Sequence, residues 1–277
     1  MPVKPTFDTA RSTQLMKQFE TTAIEAARLA GRILTDCART GFGVRHKQKV
    51  IDLVTDADLR SEQAVVETIA KAFPAHRILA EEKGLHADQE SPYTWIIDPL
   101  DGTTNFAHGF PAYCVSIGLE HQGRTILGVV LDPTRDELFL ARDGGGAFLN
   151  GAPLQVSATP TIDAALLVTG FAYDIRESAR NNLGHFARFA LRAQGVRRTG
   201  AAALDLCYVA AGRFDGFWEM KLHPWDTAAG ALIVQEAGGR VTDFKGGPFS
   251  NYRDEIVASN GLIHDAMVGV LRENPFE

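Results

Sequence analysis

Apolar residues early in the chain recur at helical spacing. Leu15, Phe19, Ala23, Ala26, Ala27, Ala30, Ile33 and Leu34 share one stripe between about Leu15 and Ala38; Ser12 or Thr13 is placed to cap it, and Gly41-Phe42-Gly43 ends it. Arg45 to Lys49, with His46 and Lys47, follows as a basic loop. A second helix is expected to start near Asp58, with Leu59, Val65, Val66, Ile69 and Phe73 as its apolar face and Pro74 as its stop. Asp56 or Asp58 can cap this helix with no further chemistry.

The pattern then shortens to runs of strand type. Arg77 to Ala80 leads straight into Glu81-Glu82, and the polar stretch Gly84 to Pro92 reads as an exposed loop. Trp95-Ile96-Ile97 delivers Asp98 and Asp101 into a turn that carries Gly102, Thr103 and Thr104. A strand ending this way sets its acids at a sheet edge and leaves backbone N–H groups able to face an anion. Val115 to Glu120, Ile126 to Leu131 and Leu138 to Ala141 alternate as successive antiparallel strands. Asn150-Gly151, between Ala147-Phe148-Leu149 and Leu154-Gln155-Val156, is a type I′ hairpin signal. Gly144 to Gly146 reads as a turn, because the GK[ST] of a phosphate loop is missing.

Beyond a compositional shift near Ser157, strands and helices alternate. Strands are expected at Ala165 to Thr169, Val196 to Thr199, Phe214 to Met220, Arg240 to Phe244 and Glu255 to Ala258. Helices are expected at Asn181 to Gln194, Ala202 to Ala211 and Trp225 to Ala237, with a closing helix after the last strand. This order predicts an α/β layer behind an α+β layer with antiparallel strands. The expected organisation is an N-terminal α+β half, 1–156, and a C-terminal α/β half, 157–277, with no linker, repeat or low-complexity segment between them.

Composition narrows the function. The 277 residues, 45% hydrophobic, supply one large core or two fused layers, and a formal charge of -6 removes the electrostatic footprint that makes nucleic-acid binding expected. A small ligand is favoured. Cys37, Cys114 and Cys207 are far apart with no CxxC spacing, which argues against a disulfide framework or a zinc site and for buried, reduced thiols. The opening MPVKPTFDTARSTQ has no apolar signal core, and no window reaches the roughly 18 apolar residues of a membrane span, so a cytoplasmic protein with no membrane partner is expected.

The acids carry the chemistry. Asp52, Asp56 and Asp58 fail as a calcium loop, since counting from Asp56 puts Arg60 at position five and Ser61 at position six. Glu81 or Glu82, with Asp98 and Asp101, follows a strand end, and Asp226 in His223 to Gly239 falls at the start of a helix, where capping is the simplest role. If Glu81, Asp98, Asp101 and Asp226 converge, they form an all-oxygen cluster suited to Mg2+ or Mn2+, with two or three ions needed to offset four carboxylates and admit an anion. No GxSxG, HExxH or useful histidine pair is present. A phosphoaspartate enzyme has a DxD motif followed by Thr, whereas these acids stand three apart; a glycosidase could pair acids but leaves the GTT turn unexplained. Metal-activated water acting on a phosphate is preferred.

WIIDPLDGTTNF, followed by HGFP and VSIGL, with WDTAAG and EAGG downstream, DLVTDAD and LAEE upstream and ASN near the end, resembles the inositol monophosphatase family of Mg2+-dependent, lithium-sensitive phosphatases. The likeness runs over nearly the whole chain. It implies a layered α-β-α-β-α sandwich with a mixed C-terminal sheet, one unit over 1–277, and a homodimer. It also implies metal ligands at Glu81, Asp98, the Leu100 carbonyl, Asp101 and Asp226, which selects Glu81 over Glu82.

By the same resemblance, Thr103, paired with Asp58, activates water with the help of Glu81 as a further catalytic residue, while the N–H groups of Gly102 and Thr103 hold phosphate oxygens. Substrate contacts fall on Asp101, Asp226, Glu219 and the segment containing Arg197, Gly200 and Ala202. Lys47 matches a loop lysine near the metals. Ala201 stands where many relatives carry a hydroxyl. GFAYD and RRTGAAALDL resemble bacterial inositol monophosphatases, so a small phosphorylated polyol, inositol monophosphate, leads as substrate, ahead of histidinol phosphate and other sugar or nucleotide phosphates. The contrasting expectation is an interaction protein that contacts RNA or the transcription machinery.

Overall fold

The structure, a computed structural model, describes residues 9–46, 53–86 and 90–273. The alanine-rich stripe forms α1 (Thr9–Thr40), and a short ribbon, β1 (Val44–His46) against β2 (Leu53–Thr55), leads into α2 (Asp56–Ala72). The start of α2 differs from expectation for a local reason. The Thr55 hydroxyl accepts the N–H groups of Ala57 (3.1 Å) and Asp58 (3.4 Å), while the Asp58 carboxylate accepts the Thr55 N–H at 2.8 Å. This reciprocal box makes Thr55 the cap and Asp58 its third-position partner. Asp56 turns outward to Arg45 at 3.3 Å. Arg45 therefore lies in a strand where a loop was expected, and Lys47 to Lys49 fall outside the described residues.

Next come β3 (Arg77–Ala80), β4 (Gly84–His86), β5 (Tyr93–Asp101), the single-turn α3 (Thr103–Ala107), β6 (Cys114–His121), β7 (Arg124–Asp132), β8 (Glu137–Arg142), β9 (Gly146–Leu149) and β10 (Ala152–Pro153). They build an eight-stranded sheet in the order β10-β9-β8-β7-β6-β5-β3-β4. Two expectations change here. The stretch from Gly84 is a strand up to His86, and the sheet is not wholly antiparallel, because β3 runs parallel to β5. The hairpin at Asn150-Gly151 forms as expected, both residues having positive φ, 49° and 82°. Its second strand is Ala152–Pro153, since Val156 already bonds to Ala237.

The remainder supplies β11 (Leu166–Thr169), α4 (Leu183–Ala190), β12 (Gly195–Arg197), α5 (Ala202–Ala210), β13 (Gly216–Met220), α6 (Pro224–Glu236), β14 (Arg240–Thr242), β15 (Glu255–Ser259) and α7 (His264–Arg272). α4 is shorter than its apolar pattern suggested and stops before the exposed Leu191. The five-stranded sheet, β12-β11-β13-β15-β14, is mixed: β11 is parallel to β12 and β13, and β15 is antiparallel to β13 and β14.

Three apolar clusters fill the spaces between layers. α1 and α2 pack on one face of the large sheet around Phe19, Val65, Trp95 and Ile97. α5 and α6 lie between the two sheets around Val130, Leu206, Phe217 and Ile233. α4 and α7 cover the far side around Phe189, Trp218 and Met267. The result is a layered α-β-α-β-α sandwich.

One contact in the central layer sets the distance between α6 and the large sheet. Gly118 on β6 and Gly128 on β7 are cross-strand partners beneath α6. A Cβ on Gly118 would come within 2.9 Å of the Ala228 Cβ, and one on Gly128 within 2.7 Å of the Ala229 carbonyl oxygen and 3.0 Å of its Cα. Backbone cannot rotate out of the way as a side chain can. Gly128→Ala is therefore expected to destabilise the protein by about 2–3 kcal/mol, the usual penalty for overpacking, read from urea unfolding midpoints; an unchanged midpoint would show that α6 is free to lift off the sheet.

Candidate active site

The bulge near the end of β5 builds the centre. Register with β6 runs regularly to Asp98–Ser116 and resumes at Asp101–Cys114 after a shift. Pro99 sits inside that irregularity, where a missing N–H costs the ladder nothing. β5 is an interior strand, so the acids stand at its carboxyl end and not at an outer edge of the sheet. The Asp98 carboxylate accepts the Leu100 N–H at 3.0 Å, and Ser61 on α2 donates to the Pro99 carbonyl at 2.7 Å, which pins the bulge to the helix layer. Gly102 then takes a φ of 91°, and a Cβ there would meet the Ala112 carbonyl at 2.8 Å. Only glycine makes this turn without strain.

Each neighbour arrives from a different layer. The Ala80–Ile97 pairing of β3 with β5 puts Glu81 alongside Asp98. Glu82 instead gives its N–H to the Glu62 carboxylate at 2.8 Å. α5 presents the N–H groups of Ala202 and Ala203 to the Asp101 carboxylate at 3.2 and 2.8 Å, and the Cys114 thiol lies 3.6 Å from it. α6 begins with Pro224, and Asp226 in its first turn accepts the His223 N–H at 2.6 Å. Asp226 caps its helix and lines the same cavity as Asp98.

The Thr103 hydroxyl stands 3.0 Å from an Asp58 carboxylate oxygen and 3.0 Å from the Leu100 carbonyl. Both are acceptors, so its proton goes to one of them and its lone pairs stay available to a third group. The other Asp58 oxygen is held by the Thr55 hydroxyl at 2.5 Å. Asp58 is thus both half of a helix cap and the partner of Thr103.

Charge is the dominant fact of this cavity, which measures about 880 Å3. Burial pushes the Asp98 carboxyl well above the usual range, and Glu81, Asp101 and Asp226 each push it further. Burial raises Asp101 to about 7 against the bonds from Ala203 and Cys114. Burial raises Asp58 to about 6, opposed by its bonds to Thr55. Glu219, buried at the end of β13, is raised by burial and then by Asp205 and Asp226, with Arg198 opposing.

Among the described residues, no group of three or more His, Cys, Asp or Glu side chains is arranged to hold a metal ion as it stands. The donor chemistry nevertheless fits a hard divalent cation: Asp98 is within electrostatic reach of three other carboxylates, and all the donors are oxygen. Each Asp101 oxygen accepts one amide of α5, and the one bonded to Ala202 keeps a further lone pair that a cation can use.

Most of the residues expected from sequence line the cavity: Glu81, Asp98, Leu100, Asp101, Gly102 and Thr103 on one side, and Gly200, Ala202, Glu219 and Asp226 on the other. Arg197 does not. It is an exposed strand residue whose guanidinium turns back to the Val196 carbonyl, while Arg198, the first residue past the end of β12, lines the cavity. Lys47 lies outside the described residues. Sequence reasoning missed Arg198, Lys221 and Asp174, all of which line the wall. Arg198 adjoins the expected Arg197, and Asp174 closes the GFAYD stretch singled out above; nothing in the pattern marked Lys221.

The family model described as "Inositol monophosphatase family" matches residues 15–275. The chain is 48% identical to an inositol-1-monophosphatase of Synechocystis sp. over 84% of its own length and 81% of that protein. It is 44% identical to a protein of Salmonella typhimurium named Nus factor SuhB, over 91% of this chain and 95% of that one. A solved inositol monophosphatase from Anabaena (Nostoc) sp. superposes with a TM-score of 0.84 at 46% identity, covering 92% of this chain and 96% of the other.

The raised carboxyl groups give a definite pH dependence in chelator. Between the ordinary value of 3.8 and the folded values of about 7 for Asp101 and about 6 for Asp58, the folded protein holds protons that the unfolded chain has released. Stability therefore rises as pH falls from above 7 to below 6 and is lost in the opposite direction. The melting temperature is expected to follow, and Asp98→Asn, which removes a buried carboxyl whose ionisation Glu81, Asp101 and Asp226 oppose, should raise it by a few degrees at neutral pH. A wild-type melting temperature that drops over the same acid step would contradict this electrostatic account.

Proposed function

Belonging to the inositol monophosphatase family, this chain is a phosphoric monoester hydrolase, and we propose that it cleaves a small phosphorylated polyol, inositol monophosphate first, with Mg2+. The observation that carries this reading is the joint position of Thr103 on Asp58 and the Leu100 carbonyl, directly after the paired acids Asp98 and Asp101. Glu81, Asp98, the Leu100 carbonyl, Asp101 and Asp226 would hold two or three Mg2+ ions, or Mn2+ in their place. When bound, such ions supply the positive charge that offsets these carboxylates, polarises the phosphate and makes water nucleophilic at neutral pH.

The protein's own groups do the rest. The Thr103 hydroxyl accepts a proton from the attacking water as its own passes to Asp58, whose pKa, raised to about 6, makes it a better proton acceptor than an ordinary carboxylate. Glu81 orients the water. The N–H groups of Gly102 and Thr103 take phosphate oxygens, and Glu219 bonds to substrate hydroxyls with Gly200 and Ala202 forming the floor beside it. Arg198 takes the part first given to Arg197. Attack is direct, with no covalent enzyme intermediate.

Histidinol phosphate and other sugar or nucleotide phosphates are the alternative substrates. We further place the protein in the cytoplasm, as a lithium-sensitive homodimer over one unit, 1–277; among the described residues no helix is long and apolar enough to cross a membrane. The relative named Nus factor SuhB supports a second reading, an interaction protein of RNA or the transcription machinery. The formal charge of -6 and the complete acid set weigh against that as the sole role.

The test is phosphate release from inositol 1-phosphate, histidinol phosphate, fructose 1,6-bisphosphate and NADP, with and without Mg2+ and lithium. Release is expected to require Mg2+, to be strongest with inositol 1-phosphate and to fall with lithium. Asp101→Asn should abolish it while leaving the folded circular-dichroism spectrum intact. Wild-type turnover by that variant would remove Asp101 from the chemistry, and Mg2+ binding by neither protein, with stable capture of RNA, would favour the second reading.

A further inference from the structure

Lys221 follows the last residue of β13 with a φ of 65°, in the left-handed region that side-chain-bearing residues rarely adopt. Its surroundings explain how it is held there. The backbone N–H donates to the Asp254 carbonyl at 2.5 Å. The ammonium donates to the Asp174 carboxylate at 2.5 Å and to the Ser178 hydroxyl at 2.8 Å. Ser178 in turn donates to the Arg180 carbonyl at 3.1 Å, and the Arg180 guanidinium donates to the Asp254 carboxylate at 2.6 Å. The segments that adjoin three neighbouring strands, β11, β13 and β15, are thus tied together at one residue, by its backbone N–H and its ammonium.

This side chain belongs to the cavity wall. Lys221, Asp174 and Glu219 all line it. The Lys221 side chain is 20% exposed, so it is reachable yet tethered. An ammonium has three donors and no acceptor. Two are used within the wall, and one is left to face the cavity.

Charge decides what that group can read. The Lys221–Asp174 pair is neutral as a unit, so it has no net pull on a second phosphate or a carboxylate. It offers a donor beside an acceptor. A hydroxyl both gives and takes a hydrogen bond, and neighbouring hydroxyls match such a pair at two points. We propose that Lys221, positioned by Asp174 and Ser178, determines specificity for the alcohol part of the substrate by reading adjacent hydroxyls of a polyol. This rests on the phosphatase reading only for placing the phosphate at the Asp98 and Asp101 end of the cavity.

The experiment is calorimetric binding of two non-hydrolysable probes with Mg2+ present, the phosphonate analogues of inositol 1-phosphate and of phenyl phosphate. They are compared on wild type, Lys221→Met, Lys221→Gly and Asp174→Asn. The preference of wild type for the polyol probe should fall about tenfold in both Lys221 variants, as expected for loss of one hydrogen bond from a charged donor. Met keeps the backbone strain and Gly releases it, so agreement between them assigns the effect to the ammonium. A wild type with no preference, a ratio unchanged in both variants, or parallel loss for both probes would overturn the proposal. Failure of the hydrolytic reading looks different: wild type would release no phosphate from any substrate while the probe preference still depended on Lys221.

Discussion

The close approach of α6 to the large sheet is the constraint on which the candidate site depends. Gly118 and Gly128 allow it, and Ala228 and Ala229 occupy the space where their side chains would be. Asp226 lies two and three residues before these alanines on the same helix, so the depth of α6 bears on how near Asp226 comes to Asp98. The site is therefore a product of backbone packing before it is a product of side-chain chemistry.

That packing forces an electrostatic conflict. Glu81, Asp101 and Asp226 all act against ionisation of Asp98, and burial adds to each. Local hydrogen bonding relieves part of it: α5 turns two amides to Asp101, His223 gives its N–H to Asp226, and Thr55 holds Asp58. These bonds lower the cost of the charges without removing the repulsion among them. Binding of cations to such a site draws on energy already stored in the fold, in the general way that functional sites trade stability for chemistry.

Much of this was legible in the sequence because it is local. Helical stripes, strand alternation, the Asn150-Gly151 turn and the Asp98-to-Thr103 run depend on residues close together in the chain, and each forms within a few positions of its expected place. Convergence of Asp226 with Asp98 was not derivable from either motif alone; it entered through family resemblance, and the fold then supplied its cause in the glycine contact. Other expectations failed where a neighbour overrode a local preference. Gly84–His86 looks like a loop because its pattern is short and polar, yet it pairs with Arg77–Ala80. Asp56 looks like a helix cap, but Thr55, one position earlier, satisfies two N–H groups at once.

The arginine pair shows why the alcohol is harder to read than the phosphate. Arg197 and Arg198 are indistinguishable by composition, yet Arg197 ends β12 facing solvent and Arg198, one position on, lines the cavity. Lys221 is harder still. It acquires its role from Asp174, Ser178 and Asp254, which belong to two other segments of chain. The phosphate contacts proposed above fall on one contiguous turn and can be seen as a motif. The residues proposed to meet the alcohol come from the ends of three strands, each contributing one or two, and such a wall has no linear signature. It is assembled by tertiary structure, from segments whose proximity no single motif encodes.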